Sequence, residues 1–319
     1  MDYAKTPTVL PASNFDANAD AVSLRTAMKG FGTDEQAIID ILCARSNNQR
    51  QAITEAFLKE YGRDLIKDLK SELGGKFEDL IIGLMLPPVD FLCKELNRAM
   101  VGMGTDEEAL IEIICPRSND EVLAIVKKYE ELYNRPLAQQ ICSEVSGDFA
   151  RLLTLIVTGC RDPAGQVNSD LAKEHAEKLY NAGEAKLGTD EEIFNKILAH
   201  DSFAQLRLVF EEYKNLTGKT IEQALKSELG GDLLNAMLAI VECVQSPPAF
   251  FAKRLQKAME GLGTNDTTLI RIIVSRCEID LGSIKQEYER LYDKTLLSAV
   301  KSECSGDYKR ALCAIIGNA

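Results

Sequence analysis

The sequence contains no tryptophan and only two histidines, His175 and His200. It carries none of the GxxxxGK(S/T), GxSxG or HExxH motifs, and no two cysteines are spaced as a CxxC pair. Those motifs mark P-loop nucleotide binding, the nucleophile of α/β hydrolases and zinc proteases, so their absence argues against these enzyme classes. The DxDxDG pattern of EF-hand loops is missing as well, which argues against that kind of calcium sensor.

Long hydrophobic runs are also missing. No stretch approaches the roughly 20 apolar residues that span a bilayer, so we expect no transmembrane helix. Residues 1–15 lack a basic region followed by an apolar one, so we expect no secretory signal peptide. The nine cysteines are an odd number and most lie in apolar runs. This pattern predicts buried, reduced thiols and a cytoplasmic protein.

Positive charge is scarce, because 37 Lys and Arg residues stand against 49 Asp and Glu residues and the net charge is −12. Nucleic acids and anionic membranes attract basic surfaces. The sequence therefore predicts no nucleic-acid partner. A polyanion could bind this chain only if positive charge came from a source other than the chain's own side chains.

One short pattern occurs four times. It reads MKGFGTDE at 28–35, VGMGTDEE at 101–108, KLGTDEE at 186–192 and EGLGTND at 260–266. Its second glycine recurs at intervals of about 70 to 85 residues, which is typical of tandem repeats. These glycines are Gly32, Gly104, Gly188 and Gly263. A glutamate lies about forty residues after each of them. These glutamates are Glu72, Glu144, Glu228 and Glu303.

The recurring pattern divides the chain into four repeats. The second interval is the longest and matches a polar linker, TGCRDPAGQVNSD (158–170), which suggests two pairs of repeats. The predicted boundaries are a tail at 1–16, repeat 1 at 17–86, repeat 2 at 89–158, a linker at 159–171, repeat 3 at 172–245 and repeat 4 at 248–317.

Each repeat is predicted to be helical throughout. Runs such as EQAIIDIL and EALIEII place apolar residues three and four positions apart, and alternating strand patterns are missing. Breaks at Asn47–Asn48, Tyr61–Gly62 and Gly74–Gly75 divide a repeat into about five short helices. Three threonines fit capping boxes with a residue three positions later. These pairs are Thr33 with Gln36, Thr105 with Glu108, and Thr189 with Glu192.

A calcium site explains why two glycines and a distant glutamate occur together, although GTDEE alone is also an ordinary helix start. Ca²⁺ takes six to eight oxygens, including backbone carbonyls and a bidentate carboxylate. Glycines allow a short loop to aim alternate carbonyls at one point. The carbonyls of Met28, Gly30 and Gly32 with both carboxylate oxygens of Glu72 would supply five of those oxygens. Calcium binding by these five protein oxygens alone should be weak. It should tighten when a phosphate oxygen completes the coordination shell of the ion.

The glycine loop with its later glutamate resembles the annexin repeat, and the likeness covers the chain after about its first fifteen residues. The resemblance implies a curved all-α disc with calcium sites on its convex face, which binds acidic phospholipid. It also implies the ligands of all four sites. They are Met28, Gly30, Gly32 and Glu72; Met100, Gly102, Gly104 and Glu144; Gly183, Lys186, Gly188 and Glu228; Met259, Gly261, Gly263 and Glu303. We predict calcium binding at all four, although Lys186 replaces a glycine and requires a differently shaped loop in repeat 3.

Two further sets of residues are candidates for lipid contact. The residue just before the second glycine of the loop is apolar in every repeat. It either touches lipid or packs under its own loop. These residues are Phe31, Met103, Leu187 and Leu262. A basic residue also recurs near the start of the helix that leads to each glutamate, and it either contacts a headgroup or forms a structural ion pair. These residues are Arg63, Arg135, Lys219 and Lys294.

Other charged residues stand in apolar helical runs. Glu95, Glu112, Arg117 and Arg271 are expected to be buried in ion pairs between repeats. The resemblance also suggests a hydrophilic passage at this place, and the sequence leaves ion conduction open.

The combined prediction is a protein without enzymatic activity that moves from the cytoplasm to the inner face of membranes when calcium rises. Its partners would be membranes with phosphatidylserine-type headgroups, and self-association on the membrane is left open. A helical solenoid scaffold is the alternative. It explains the repeats but does not explain the pairing of glycines with a glutamate.

Overall fold

The computed structural model describes residues 3–30, 32–163, 165–186, 188–261 and 263–317. Within these ranges the chain forms twenty α-helices and no β-strand, so the all-α prediction with about five helices per repeat is confirmed. None of the helices in these ranges combines the length and apolar character needed to cross a bilayer.

The chain divides into two compact units. Unit 1 combines Met1–Phe91 with Phe251–Ala319, and unit 2 is the continuous segment Leu92–Phe250. Repeats 1 and 4 therefore share one unit, and repeats 2 and 3 share the other. The linker at 158–170 lies inside unit 2, so it does not mark the division between the pairs.

Repeats 1 and 4 supply the helices of unit 1, and α6 and α16 carry the chain from one unit to the other. Repeat 1 contains α1 (Ala17–Ala27), α2 (Glu35–Leu42), α3 (Asn47–Tyr61), α4 (Leu65–Glu72) and α5 (Gly75–Met85). Repeat 4 contains α16 (Pro247–Met259), α17 (Asp266–Arg276), α18 (Leu281–Tyr292), α19 (Leu296–Glu303) and α20 (Gly306–Ile316).

Repeats 2 and 3 supply the helices of unit 2. Repeat 2 contains α6 (Pro88–Met100), α7 (Glu107–Ile114), α8 (Asn119–Tyr133), α9 (Leu137–Glu144) and α10 (Gly147–Val157). Repeat 3 contains α11 (Ser169–Ala182), α12 (Glu191–His200), α13 (Phe203–Thr217), α14 (Ile221–Glu228) and α15 (Gly231–Gln245).

The capping boxes predicted at the loop threonines are wrong. The second helix of repeat 1 is capped by Asp34, whose side chain accepts a hydrogen bond from the amide of Ala37, and Asp106 caps repeat 2 in the same way. An aspartate caps a helix as well as a threonine does, which leaves the threonine hydroxyl available for another partner. Capping boxes do occur elsewhere. Their residues are Ser46 with Gln49, Ser118 with Glu121, and Thr220 with Gln223.

The interior contains polar groups as well as the apolar faces of the helices. Glu95, Glu112, Arg117 and Arg271 are all buried, as their apolar contexts predicted. Six cysteines are buried, whereas Cys142 is exposed and Cys160 and Cys313 are half-buried. The prediction of buried cysteines is therefore confirmed for most of them.

Candidate functional site

A backbone hydrogen bond closes the loop between the first two helices of every repeat. The amide after the loop threonine donates to the carbonyl that precedes the first predicted ligand. The four bonds join Asp34 to Ala27 at 2.9 Å, Asp106 to Ala99 at 2.8 Å, Asp190 to Ala182 at 2.8 Å, and Asn265 to Ala258 at 2.7 Å. Because the bond uses only backbone atoms, Asn265 closes its loop just as the three aspartates do.

The predicted carbonyl ligands begin where a helix ends. Met28 follows α1 directly, and Met100 and Met259 are the last residues of α6 and α16, with all three side chains buried. The last carbonyls of a helix lack a partner within the helix, and they form the negative end of its dipole. Such a position favours a cation. The sequence therefore places backbone carbonyls without an intrahelical partner at the entrance of each of these loops.

The glycines of the loop have backbone angles that other residues rarely adopt. In repeat 1 φ is 115° at Gly30 and 87° at Gly32, and in repeat 2 it is 129° at Gly102 and 89° at Gly104. A side chain would strain the backbone in this region, so glycine is needed there. Gly188, Gly261 and Gly263 also have positive φ.

Each predicted glutamate ligand is the last residue of the fourth helix of its repeat. In repeat 1 the hydroxyl of Thr33 donates to Glu72 Oε2 at 2.9 Å. In repeat 3 Thr189 donates to Glu228 Oε2 at 3.0 Å. In repeat 2 Thr105 donates to the backbone carbonyl of Glu144 at 3.4 Å. The loop threonine thus ties the glycine loop to the glutamate in these three repeats.

The loop of repeat 3 differs in shape, as its lysine predicted. Gly183 has a negative φ of −120°, and the Lys186 amide donates to its carbonyl at 3.1 Å. A Cβ atom on Gly183 would lie 3.2 Å from Cγ of Glu228, so glycine allows this carboxylate to approach. Glu184, the next residue, accepts hydrogen bonds from Tyr213 and Lys219. Burial and the Glu184 carboxylate raise the pKa of Tyr213.

The chemistry of these donors suits a hard cation. Among the described residues no group of three or more His, Cys, Asp and Glu side chains could hold a metal ion. The loops instead offer several backbone carbonyls and one carboxylate each. Oxygen-only donor sets of this type fit Ca²⁺, whereas structural zinc prefers thiolate and imidazole ligands.

The loop of repeat 2 presents two apolar side chains to solvent. Met103 is fully exposed, so it does not pack under its own loop, and Val101 is 61% exposed. No repeated pattern in the sequence marks Val101, because the corresponding positions in repeats 1 and 4 hold the charged residues Lys29 and Glu260. The other predicted contacts, Phe31, Leu187 and Leu262, lie outside the described residues.

The recurring basic residues all have partners within their own unit. Arg63 donates two hydrogen bonds of 2.7 Å to Asp68, and Lys219 lies 3.0 Å from Glu184. Arg135 contacts Gln140 and Ser143, and Lys294 contacts Ser302 at 3.2 Å. Arg63 and Lys219 thus form structural ion pairs. Headgroup contact by these residues stays a prediction.

A family profile described as Annexin matches residues 19–84, 91–156, 174–240 and 250–315. The chain belongs to the annexin family. It is 64% identical to annexin B10 of Drosophila melanogaster across the whole of both chains. It is 48% identical to annexin A4 of Mus musculus over 98% of each chain. Annexins are in general calcium-dependent phospholipid-binding proteins without enzymatic activity.

Solved annexin structures share the fold. Annexin III superposes with a TM-score of 0.96 at 44% identity, covering 98% of this chain and 97% of that chain. Calcium-bound annexin (Sm)1 superposes with a TM-score of 0.88 at 34% identity, covering 99% of this chain and 94% of that chain. Membership of the family thus implies calcium binding and an acidic phospholipid surface as partner.

Proposed function

We propose that this annexin binds phosphatidylserine-type membranes through calcium ions held in the loops of its four repeats. The observation that carries the proposal is the closed glycine loop tied by a threonine to a glutamate that lies far away in sequence, as in Thr33 with Glu72. The proposed ligands are the carbonyls of Met28, Gly30, Gly32, Met100, Gly102, Gly104, Gly183, Lys186, Gly188, Met259, Gly261 and Gly263, and the carboxylates of Glu72, Glu144, Glu228 and Glu303.

Each site offers five oxygens and a single negative charge, which leaves coordination positions for a lipid phosphate. Bound calcium supplies the positive charge that a protein of net charge −12 needs at an anionic surface. The chain positions its carbonyls and glutamates so that protein and lipid share one ion. Binding should therefore switch with calcium, which suits a role in organising or trafficking membranes from their cytoplasmic face.

The proposal is tested by co-sedimentation with phosphatidylserine vesicles across a calcium titration, followed by a chelator. We expect pelleting that requires calcium, reverses with the chelator and is weaker with phosphatidylcholine vesicles. Pelleting without calcium would contradict calcium bridging and indicate another mode of membrane binding. No pelleting at any calcium concentration would remove lipid binding as the function and favour a scaffold.

The exposed loop of repeat 2 is expected to enter the headgroup region of the membrane. Burial of a valine or methionine side chain is worth about 1.5 to 3 kcal/mol, so Val101→Asp or Met103→Asp should weaken vesicle affinity about tenfold to a hundredfold at fixed calcium. Leu132→Asp is the matched control, because Leu132 is an exposed apolar residue on α8 of the same repeat. Unchanged affinity in both loop variants would contradict the contact.

The role of Arg63 can be separated from that of its ion pair with Asp68. If Arg63 contacts a headgroup, Arg63→Ala should reduce the preference for serine-headed over choline-headed vesicles severalfold. If Arg63 only forms its ion pair with Asp68, Arg63→Ala should lower the free energy of unfolding and leave the lipid preference unchanged. Parallel titrations with the two vesicle types and a thermal unfolding curve distinguish these outcomes.

A further inference from the structure

One position in the glycine loops differs in charge among the repeats. It is the residue that directly follows the first proposed carbonyl ligand, and it is Lys29, Val101, Glu184 and Glu260 in repeats 1 to 4. In repeats 1, 2 and 4 the residue after it is the glycine proposed as the second ligand. The side chain at this position therefore stands between two of the carbonyls that are proposed to bind one ion.

The backbone on both sides of Glu260 has the form of a ligand loop. Glu260 directly follows the last residue of α16, and the backbone bond from Asn265 to Ala258 closes the loop at 2.7 Å. Gly261, the next residue, has a φ of 99°. The loop around Lys29 in repeat 1 is closed in the same way. The two residues thus occupy equivalent places and carry opposite charges.

The side chains of Lys29 and Glu260 are exposed, and neither makes a hydrogen bond or an ion pair within the described part of the chain. Glu184 differs, because Tyr213 donates to one of its carboxylate oxygens at 3.2 Å and Lys219 to the other at 3.0 Å. Its side chain is 14% exposed, and Lys219 compensates its charge. Of the four residues at this position, all of which the structure describes, Glu260 is therefore the one carboxylate without a partner.

An ion held by the carbonyls on both sides of a residue lies close to the backbone of that residue. Calcium–oxygen distances of about 2.3 to 2.6 Å and ordinary peptide dimensions would keep the Glu260 carboxylate within roughly 10 Å of such an ion in any rotamer. This separation is about one Debye length at about 0.1 M salt, so screening by salt is incomplete. Glu260 would therefore attract the ion without coordinating it, whereas Lys29 would repel the ion of its own loop.

A second charge difference between the two loops lies at the start of the next helix. Asn265 in repeat 4 stands where repeat 1 has Asp34. Each of these side chains accepts a hydrogen bond from an amide in the first turn of that helix, at 3.1 Å and 3.0 Å. Both residues thus serve as helix caps. Because repeat 4 lacks this acid, the decisive comparison is between each loop with and without the charge of Glu260 or Lys29.

We infer that Glu260 and Lys29 shift the calcium affinities of their loops in opposite directions, so that repeat 4 fills at a lower calcium concentration than repeat 1. Glu260 contributes charge and is not a ligand. The inference rests on the function proposed above, since it requires calcium in these loops. It adds an order of filling, and the two repeats of unit 1 would therefore engage a membrane at different calcium concentrations.

The test uses full-length chains in which a single loop keeps its glutamate. Replacing Glu72, Glu144 and Glu228 with glutamine gives a chain with only the site of repeat 4, and replacing Glu144, Glu228 and Glu303 gives a chain with only that of repeat 1. Calcium affinity is measured from the rise in Tm across a calcium titration, because an ion that binds only the folded chain stabilises it. The Tm of each variant in chelator is its own reference, so a less stable variant still gives an answer.

In the chain with only the site of repeat 4, Glu260→Lys should raise the required calcium concentration about threefold to tenfold at about 0.1 M salt. Glu260→Gln should raise it about twofold to threefold, and Glu260→Asp, which keeps the charge, should leave it near the starting value. In the chain with only the site of repeat 1, Lys29→Glu should lower it about threefold to tenfold. These shifts should fall below about twofold at about 0.5 M salt, where the Debye length is about half as long.

Glu289→Lys is the matched control, because it makes the same change in charge at an exposed residue of α18 that lies outside the loop. The inference would be overturned if Glu260→Lys and Lys29→Glu left the required calcium unchanged, or if the control shifted it as much. Shifts that persist at high salt would also overturn it, since they would make Glu260 a ligand. So would a site of repeat 4 that binds no calcium or needs more of it than the site of repeat 1.

The same titrations separate this inference from the proposed function. A wild-type chain whose Tm does not respond to calcium at any concentration would contradict calcium binding itself, and with it the proposed function. A wild-type chain that responds to calcium, with single-site affinities that ignore the charges of Glu260 and Lys29, would contradict the order of filling alone.

Discussion

Replacing all four glutamates Glu72, Glu144, Glu228 and Glu303 with glutamine is expected to abolish calcium-dependent binding to phosphatidylserine vesicles. Glutamine keeps the size of the side chain and can still accept the hydrogen bond from Thr33 or Thr189. It removes the one formal charge and the bidentate ligand that each proposed site contributes. Because calcium affinity depends on the charge of its ligands, each single variant should raise the calcium required at that site about tenfold or more.

The appropriate control is a quadruple variant with the same change in net charge. Each repeat has an exposed glutamate on its third helix that is not a proposed calcium ligand. The control replaces Glu60, Glu131, Glu211 and Glu289 with glutamine. Co-sedimentation across a calcium titration should leave the control near the wild type. If the two quadruple variants bind alike, the glutamates at the ends of the fourth helices are not the ligands.

The variant Asp280→Asn is expected to lower the free energy of unfolding by about 3 to 5 kcal/mol, because it breaks a buried ion pair on one side. Asp280 is fully buried, and each of its carboxylate oxygens accepts a 2.7 Å hydrogen bond from Arg276. Tyr3 of the tail donates to the same carboxylate at 2.5 Å. Burial and the Asp280 carboxylate raise the pKa of Tyr3. The change would therefore also loosen the tail.

Glu287→Gln is the matched control for this stability measurement. Glu287 pairs with the exposed Arg290 further along α18, and ion pairs near the surface are worth about 0 to 1 kcal/mol. Urea denaturation of both variants measures the difference. A similar loss in the two variants would mean that the contacts of Asp280 with Arg276 and Tyr3 contribute no more than a surface pair does.

The helical class and the division of each repeat into five helices could be predicted because local signals specify them. Apolar residues at helical spacing and breaks such as Tyr61–Gly62 act within a few residues of chain. Gly62 does end α3 with a left-handed conformation. The positive φ of Gly30 and Gly32 could also be anticipated, since only glycine tolerates such angles readily.

The role of the loop threonine could not be predicted in the same way. Thr33 and Asp34 are both good helix caps, so the local sequence does not decide between them. Which of the two residues caps the helix depends on Glu72, which lies at the end of α4 and accepts a hydrogen bond from the Thr33 hydroxyl. A contact between residues this far apart in sequence has no local signal. The repeated glycine and glutamate indicated a shared site, but not the residue that connects them.

The exchange of charge in repeat 3 illustrates a similar limit. Asp201 stands where the other repeats have Arg45, Arg117 and Arg276, so the sequence shows the substitution plainly. In repeat 1 Arg45 donates to Asp20 of α1, whereas in repeat 3 Nδ1 of His175 on α11 lies 2.7 Å from Oδ2 of Asp201. The sequence does not show that His175 takes the place of Asp20. His175 and Asp201 come together only because α11 and α12 pack side by side.

Unit 1 is formed by two segments that are distant in sequence, and this determines the order in which the two units can fold during translation. Unit 2 is one uninterrupted segment, so all of its residues are available once Phe250 has left the ribosome. Unit 1 joins the first and the last parts of the chain, and repeat 1 must wait for Phe251–Ala319 before it acquires the neighbour with which it shares a core. Domains generally fold as their residues emerge, and closing a long chain segment is slow. The surfaces of α2 and α5 that pack against α17 and α20 are therefore among the last to be covered.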